Sequence, residues 1–121
     1  DYLSLKQIKE MSDSGIISIQ SHTMTHPFFN DNEMMGNIDL VKEIKDSQTL
    51  LEGITGKSVT AIAYPYGSYN SKVLNEVKKY YTYAVTTKNA IARTNDSYYE
   101  LPRVRVSFNT TLQEFKKLIV K

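Results

Sequence analysis

The sequence holds no cysteine. That single absence excludes a disulfide framework, a thiolate zinc site and a cysteine nucleophile. No apolar run approaches the ~20 residues a membrane-spanning helix needs. Charge is also nearly balanced, with 15 Lys and Arg against 13 Asp and Glu, a net +2. The basic residues are scattered, so the chain lacks the positive patch of a nucleic-acid binder. No Asp-Asp pair occurs anywhere, and histidine is limited to His22 and His26. Internal repeats, low-complexity tracts and linkers are likewise missing. The chain starts at Asp1 without a leader-type segment and reads as a piece of a longer protein. With 121 residues it can bury a core as one domain, but it is too short for a complete eight-stranded β/α barrel.

What is present alternates between two periods. Residues 4–14 predict a helix, with Ser4 and Gln7 at capping-box spacing and Gly15 at its end. Ile16–Ile19 is a short β-branched run that predicts a buried strand. The polar stretch Ser21-His22-Thr23-Met24-Thr25-His26-Pro27 follows, and Pro27 with the threonines favours a loop. Residues 33–52 form the longest helical pattern, with Asn30 and Glu33 as a capping box, Ile38, Val41, Ile44 and Leu51 on one face, and Gly53 as the stop. Val59–Ala63 predicts a strand running into the turn Tyr64-Pro65-Tyr66-Gly67. Asn70 or Ser71 then caps a helix carrying Val73, Leu74 and Val77. Thr82–Thr86 predicts a further strand, and residues 87–99 are polar and turn-like. In Leu101–Phe108, Val104, Val106 and Phe108 alternate with Arg103, Arg105 and Ser107, again a strand pattern. Thr111 and Glu114 cap a last amphipathic helix. This order predicts an α/β fold with a parallel sheet, in which sites lie at the carboxyl ends of strands.

Two features fall at such ends. His22 and His26 are four positions apart just after the first predicted strand. Imidazole is the commonest metal-binding side chain, and zinc accepts His nitrogen in open sites with three protein ligands and a water. The plainer alternative is a pair of surface or turn histidines. The Tyr64–Gly67 turn offers a backbone N–H able to hold an oxyanion, and Tyr64, Tyr66 and Tyr69 offer rings suited to a sugar groove. Against this stands an ordinary Pro-Gly turn. Arg103 and Arg105 face inward in a barrel, where they need anionic partners, or are solvated on an edge strand.

Taken together, Ser21–Pro27, Ile62-Ala63-Tyr64-Pro65-Tyr66-Gly67 and Leu101-Pro102-Arg103-Val104-Arg105-Val106 resemble the polysaccharide deacetylase family, also called the NodB-homology domain or carbohydrate esterase family 4. The variant Ala-Tyr-Pro-Tyr-Gly resembles the subgroup that acts on N-acetylglucosamine polymers of cell walls and biofilms. The resemblance implies a distorted (β/α) barrel, of which residues 1–121 form the C-terminal part of a single domain lacking its N-terminal strand or strands. It also implies removal of N-acetyl groups from poly-N-acetylglucosamine, peptidoglycan or a chitin-like polymer. By the same resemblance His22 and His26 are two ligands of a divalent metal, most often zinc. The Tyr66 backbone N–H holds the oxyanion, Arg103 tunes the catalytic base, with Arg105 as an alternative, and Tyr64 and Tyr69 contact substrate. Secretion or display at the cell surface is implied too.

Several family features are missing. The Thr-Phe-Asp-Asp motif, source of the third ligand and the base, is expected upstream of Asp1. The late Leu-x-x-His motif is absent, as is the tryptophan of the fourth motif, and Ala63 replaces a common arginine. The chain alone is therefore expected to bind metal weakly and turn over little substrate. A non-catalytic carbohydrate-binding or scaffolding relative is the alternative. A truncated barrel also exposes a strand edge, for which a homodimer is one expected cover.

Overall fold

A computed structural model of the chain describes residues 2–29 and 36–119. Helix α1 spans Leu5–Asp13. Its start is the reciprocal box that the Ser4–Gln7 spacing predicts: Gln7 N donates to Ser4 Oγ at 3.3 Å and Ser4 N to Gln7 Oε1 at 2.8 Å. Gly15 follows with φ 73°, the left-handed conformation that glycine adopts without penalty.

The centre is a parallel pair, β1 (Ala61–Ala63) and β2 (Tyr83–Val85), with Ile62 opposite Ala84. Single parallel bridges extend it on both sides, Ser21 to Ile62 and Val85 to Leu101. The lateral order is thus Ser21, β1, β2, Leu101, and all four run in one direction. Helices lie in the first two crossovers, whereas residues 86–100, between β2 and Leu101, are turns and irregular chain.

The first crossover becomes helical at Leu40, where Asp39 Oδ1 accepts from Lys42 N at 3.1 Å. Its Asn30–Glu33 box lies outside the described residues. A π-helical turn, Lys42–Asp46, precedes α2 (Ser47–Thr55). The stop is Gly56 at φ 68°, not Gly53, which lies inside the helix. Val41 is exposed, and the inner face instead carries Leu40, Glu43, Ile44, Ser47 and Leu51. The second crossover is α3 (Ser71–Tyr80), capped by Asn70, whose Oδ1 accepts from Val73 N at 3.0 Å. Its buried valines, Val73 and Val77, join Ile44, Val59, Ile62 and Ala84 in one core. Helix α4 (Leu112–Ile119) has the Thr111–Glu114 box that the spacing predicts.

Two predicted strands differ. Ile16–Ile19 pairs with no other described segment, and Ile16 and Ile17 are exposed. Gln20 takes the place of a longer ladder there: its Oε1 accepts from Thr60 N and Ala61 N at 3.0 and 2.8 Å. Leu101–Phe108 pairs only at Leu101. Beyond it Val106 is 55% exposed and Phe108 fully exposed. The alternation marks a face that could be buried, but no described layer stands opposite it.

Candidate active site

His22 follows directly on Ser21, the residue that bridges to β1. Its Nδ1 lies 2.6 Å from the Ala63 carbonyl oxygen at the end of β1. A carbonyl only accepts, so Nδ1 carries a proton, and in the neutral ring Nε2 is the nitrogen with the lone pair. The His26 ring packs edge-on to His22 at 4.8 Å and edge-on to Tyr66 at 4.7 Å. Phe28 extends the row, 5.7 Å from Tyr66. Both histidines and both flanking rings are exposed. The loop after one strand and the turn after the next therefore meet, as the parallel topology predicts.

Both segments are strained. Among the described residues three non-glycine residues have positive φ: Thr23 (70°), His26 (59°) and Tyr66 (57°). Each such conformation costs on the order of 1–3 kcal/mol and persists only where its surroundings enforce it. In the histidine loop the enforcing contacts are polar. Thr23 Oγ1 accepts from His26 N at 3.1 Å. The Glu43 carboxylate accepts from Met24 N, Thr25 N and Thr25 Oγ1 at 3.0, 2.9 and 2.6 Å. Ser21 Oγ accepts from Thr23 N and lies 2.7 Å from Ser47 Oγ, tying the loop to α2. At the other segment Pro65 presets its own φ, and Gly67 N and Ser68 N donate back to Tyr64 O and Pro65 O. Gly67 is required twice: its φ is 69°, and a Cβ there would sit 2.2 Å from Thr87 Oγ1. The Tyr66 N–H makes no hydrogen bond to another described residue.

The remaining candidates divide. Tyr64 is 0% exposed and its hydroxyl donates to Tyr99 O at 3.0 Å, so it is a core residue and not a groove wall. It shares the buried side of the strand with Ile62, two residues earlier. Burial pushes its hydroxyl well above the usual tyrosine range. Tyr69 is half-buried and stacks on Tyr64 at 4.7 Å. It donates to Glu100 Oε1 at 2.7 Å, a bond that raises its pKa. Arg103 is clamped at the end of β2: Nε donates to Thr86 O at 2.8 Å, and its backbone N to Lys88 O. With Arg105 and Thr87 it lines a groove of about 450 Å³. It makes no hydrogen bond to either histidine. An open cavity of about 760 Å³ beside His26 is lined by Thr25, Pro27, Phe28, Ile38 and Tyr66, among others.

The sequence reading missed Phe28 and Glu43. Phe28 sits beside Pro27 with nothing periodic to mark it. Glu43 falls outside the apolar face counted through Val41, and only the π-helical turn brings it inward.

The donor set fits two positions of a metal site. Two imidazole rings are adjacent, and the hydrogen bond to the Ala63 carbonyl orients one of them, as metal-binding histidines require. Among the described residues no group of three His, Cys, Asp or Glu side chains could hold a metal ion.

Fold and site together define a parallel α/β domain with a histidine pair at the carboxyl ends of its strands, and solved deacetylases share that arrangement of chain. The fold matches a polysaccharide deacetylase from Bacillus cereus (43% identity, TM-score 0.80, 95% of this chain and 36% of that one). It also matches a Streptococcus pyogenes deacetylase solved in complex with acetate (32%, TM-score 0.85, 98% and 51%). In sequence it is 30% identical over 115 residues to the poly-beta-1,6-N-acetyl-D-glucosamine N-deacetylase of Staphylococcus aureus, covering 88% of this chain and 39% of that protein. The family model for polysaccharide deacetylase matches residues 4–85. The chain belongs to the polysaccharide deacetylase family, and its fold is a part of that family's α/β barrel. It spans 37–39% of the length of the curated relatives it matches.

Proposed function

We propose that this chain carries the two-histidine portion of the metal site of a polysaccharide N-deacetylase. Its substrate is a polymer containing N-acetylglucosamine, and its metal is zinc. The observation that carries the reading is the His22–Ala63 bond, which presents Nε2 for ligation beside the His26 ring. When bound there, the metal supplies a Lewis acid and a water of lowered pKa. His22 and His26 hold it. The Tyr66 N–H, which bonds to no other described residue, donates to the oxygen that gains charge as the amide carbonyl becomes tetrahedral. Phe28 and Tyr66, exposed beside His26, give the sugar a ring wall, with Tyr69 further along the turn. Arg103, its Nε fixed on Thr86 O, keeps its remaining N–H groups for a carboxylate base. Turnover also needs an acidic ligand and a base, which the described residues do not group with the histidine pair. A polymer of this class places the reaction outside the cell or at its surface. The open side at Ile16–Ile19 is the face through which two copies associate.

The test is acetate release from an N-acetylglucosamine oligomer by the full-length protein. The reading requires release that a chelator stops, that zinc restores, and that His22→Ala and His26→Ala lack. Oligomer binding with no release under any metal supports the non-catalytic carbohydrate-binding reading instead.

A further inference from the structure

We propose that Glu43 is a positioning residue that holds the His22–His26 pair in its ligating arrangement, an inference that rests on reading the pair as metal ligands. Glu43 is 6% exposed and lies in the π-helical turn of the first crossover. Such turns are rare and are found frequently at functional sites. A buried carboxylate is costly unless compensated. The compensation here is not a cation, since the ion pairs among the described residues are Lys6–Glu10, Lys9–Asp13 and Lys79–Glu76. It comes from three donors, Met24 N, Thr25 N and Thr25 Oγ1. All belong to the two residues between Thr23 and His26, and those flanking residues carry the loop's positive φ values. One acidic side chain thus grips the middle of the strained segment and fixes where both ends point.

The placement makes poor sense as core packing. Met24, Thr25 and His26 are exposed, so the bonds organise a surface loop and not the interior. An apolar side chain at this position would fill the space without desolvating a charge. What it would not do is hold two backbone N–H groups at a set distance from β1. Holding them matters only if the rings on either side must present their nitrogens to one point.

The test compares Glu43→Met, which fills the space without accepting, with Thr25→Val, which removes one donor at an exposed residue. Two readouts are taken on the intact chain: amide hydrogen exchange without metal, and zinc affinity. Glu43→Met is expected to speed exchange at Met24 and Thr25 at least about tenfold. It should weaken zinc binding by roughly 10–100-fold, the range for lost outer-shell partners. Exchange at Ile62 and Ala84 in the core should stay as in the wild type. Thr25→Val should give a smaller change in the same direction. Unchanged exchange at Met24 and Thr25, or zinc loss that only accompanies opening of the core, overturns the proposal. If Glu43→Met fails to fold, Thr25→Val decides alone, and wild-type values for it overturn the proposal. A wild-type chain whose histidines ignore zinc refutes the metal reading, while the exchange result still decides whether Glu43 holds the loop.

Discussion

The loop from His22 to Pro27 and the segment from Leu101 to Ile119 sit at opposite sides of the same four-membered sheet. The loop is polar and exposed, yet Glu43, Ser21, Thr23 and Ala63 hold it by hydrogen bonds in a conformation with two left-handed residues. The C-terminal segment has regular apolar periodicity, a well-formed helix cap and a fully exposed Phe108. Order in the first comes from specific polar contacts to the core. The second has the pattern for burial with no described surface to bury against. Apolar periodicity states what a segment can cover, and only a partner decides whether it does.

Substitutions at five positions probe that contrast. Tyr64→Ala, at the buried base of the turn, should cost the most, about 3–5 kcal/mol by urea denaturation. The alkaline behaviour gives a second check on the same residue. Burial raises the Tyr64 hydroxyl above its ordinary 10.0. Its contribution to stability is therefore full below pH 10 and is lost progressively as pH rises above it. Tyr64→Phe should flatten that decline. Next, His22→Ala or His26→Ala should weaken zinc binding by more than the roughly 100-fold upper range of outer-shell losses, measured by competition with a chromophoric chelator. Gly67→Ala should cost about 1–3 kcal/mol, because its Cβ meets Thr87 and its φ is left-handed. Phe108→Ser should change stability by no more than about 0.5 kcal/mol. A large cost at Phe108 would mean that the segment is packed in solution and would erase the contrast.

Local rules were legible where they depend on neighbours in sequence. The Ser4–Gln7 and Thr111–Glu114 boxes and the strands around Ile62 and Ala84 follow from spacing alone, while the cap left open between Asn70 and Ser71 is Asn70. The meeting of the two histidines with the Tyr-Pro-Tyr-Gly turn follows from parallel topology and strand-end placement. Three features were not legible. Tyr64 carries a polar tip that suits a groove, but its burial depends on Tyr99, 35 positions away, offering a carbonyl. Gln20 ends a strand by imitating it with a side chain, which no propensity encodes. The π turn adds a residue to a helical repeat, so an apolar face placed by counting through Val41 misses both Leu40 and the acid at Glu43.

The most direct test of the central claim is a zinc titration of the intact protein followed by nitrogen NMR of the histidine rings. His22 and His26 should respond together and saturably, with His22 ligating through Nε2 while Nδ1 keeps its proton on Ala63 O. Rings that do not respond, or a His22 that binds through Nδ1, would contradict the account.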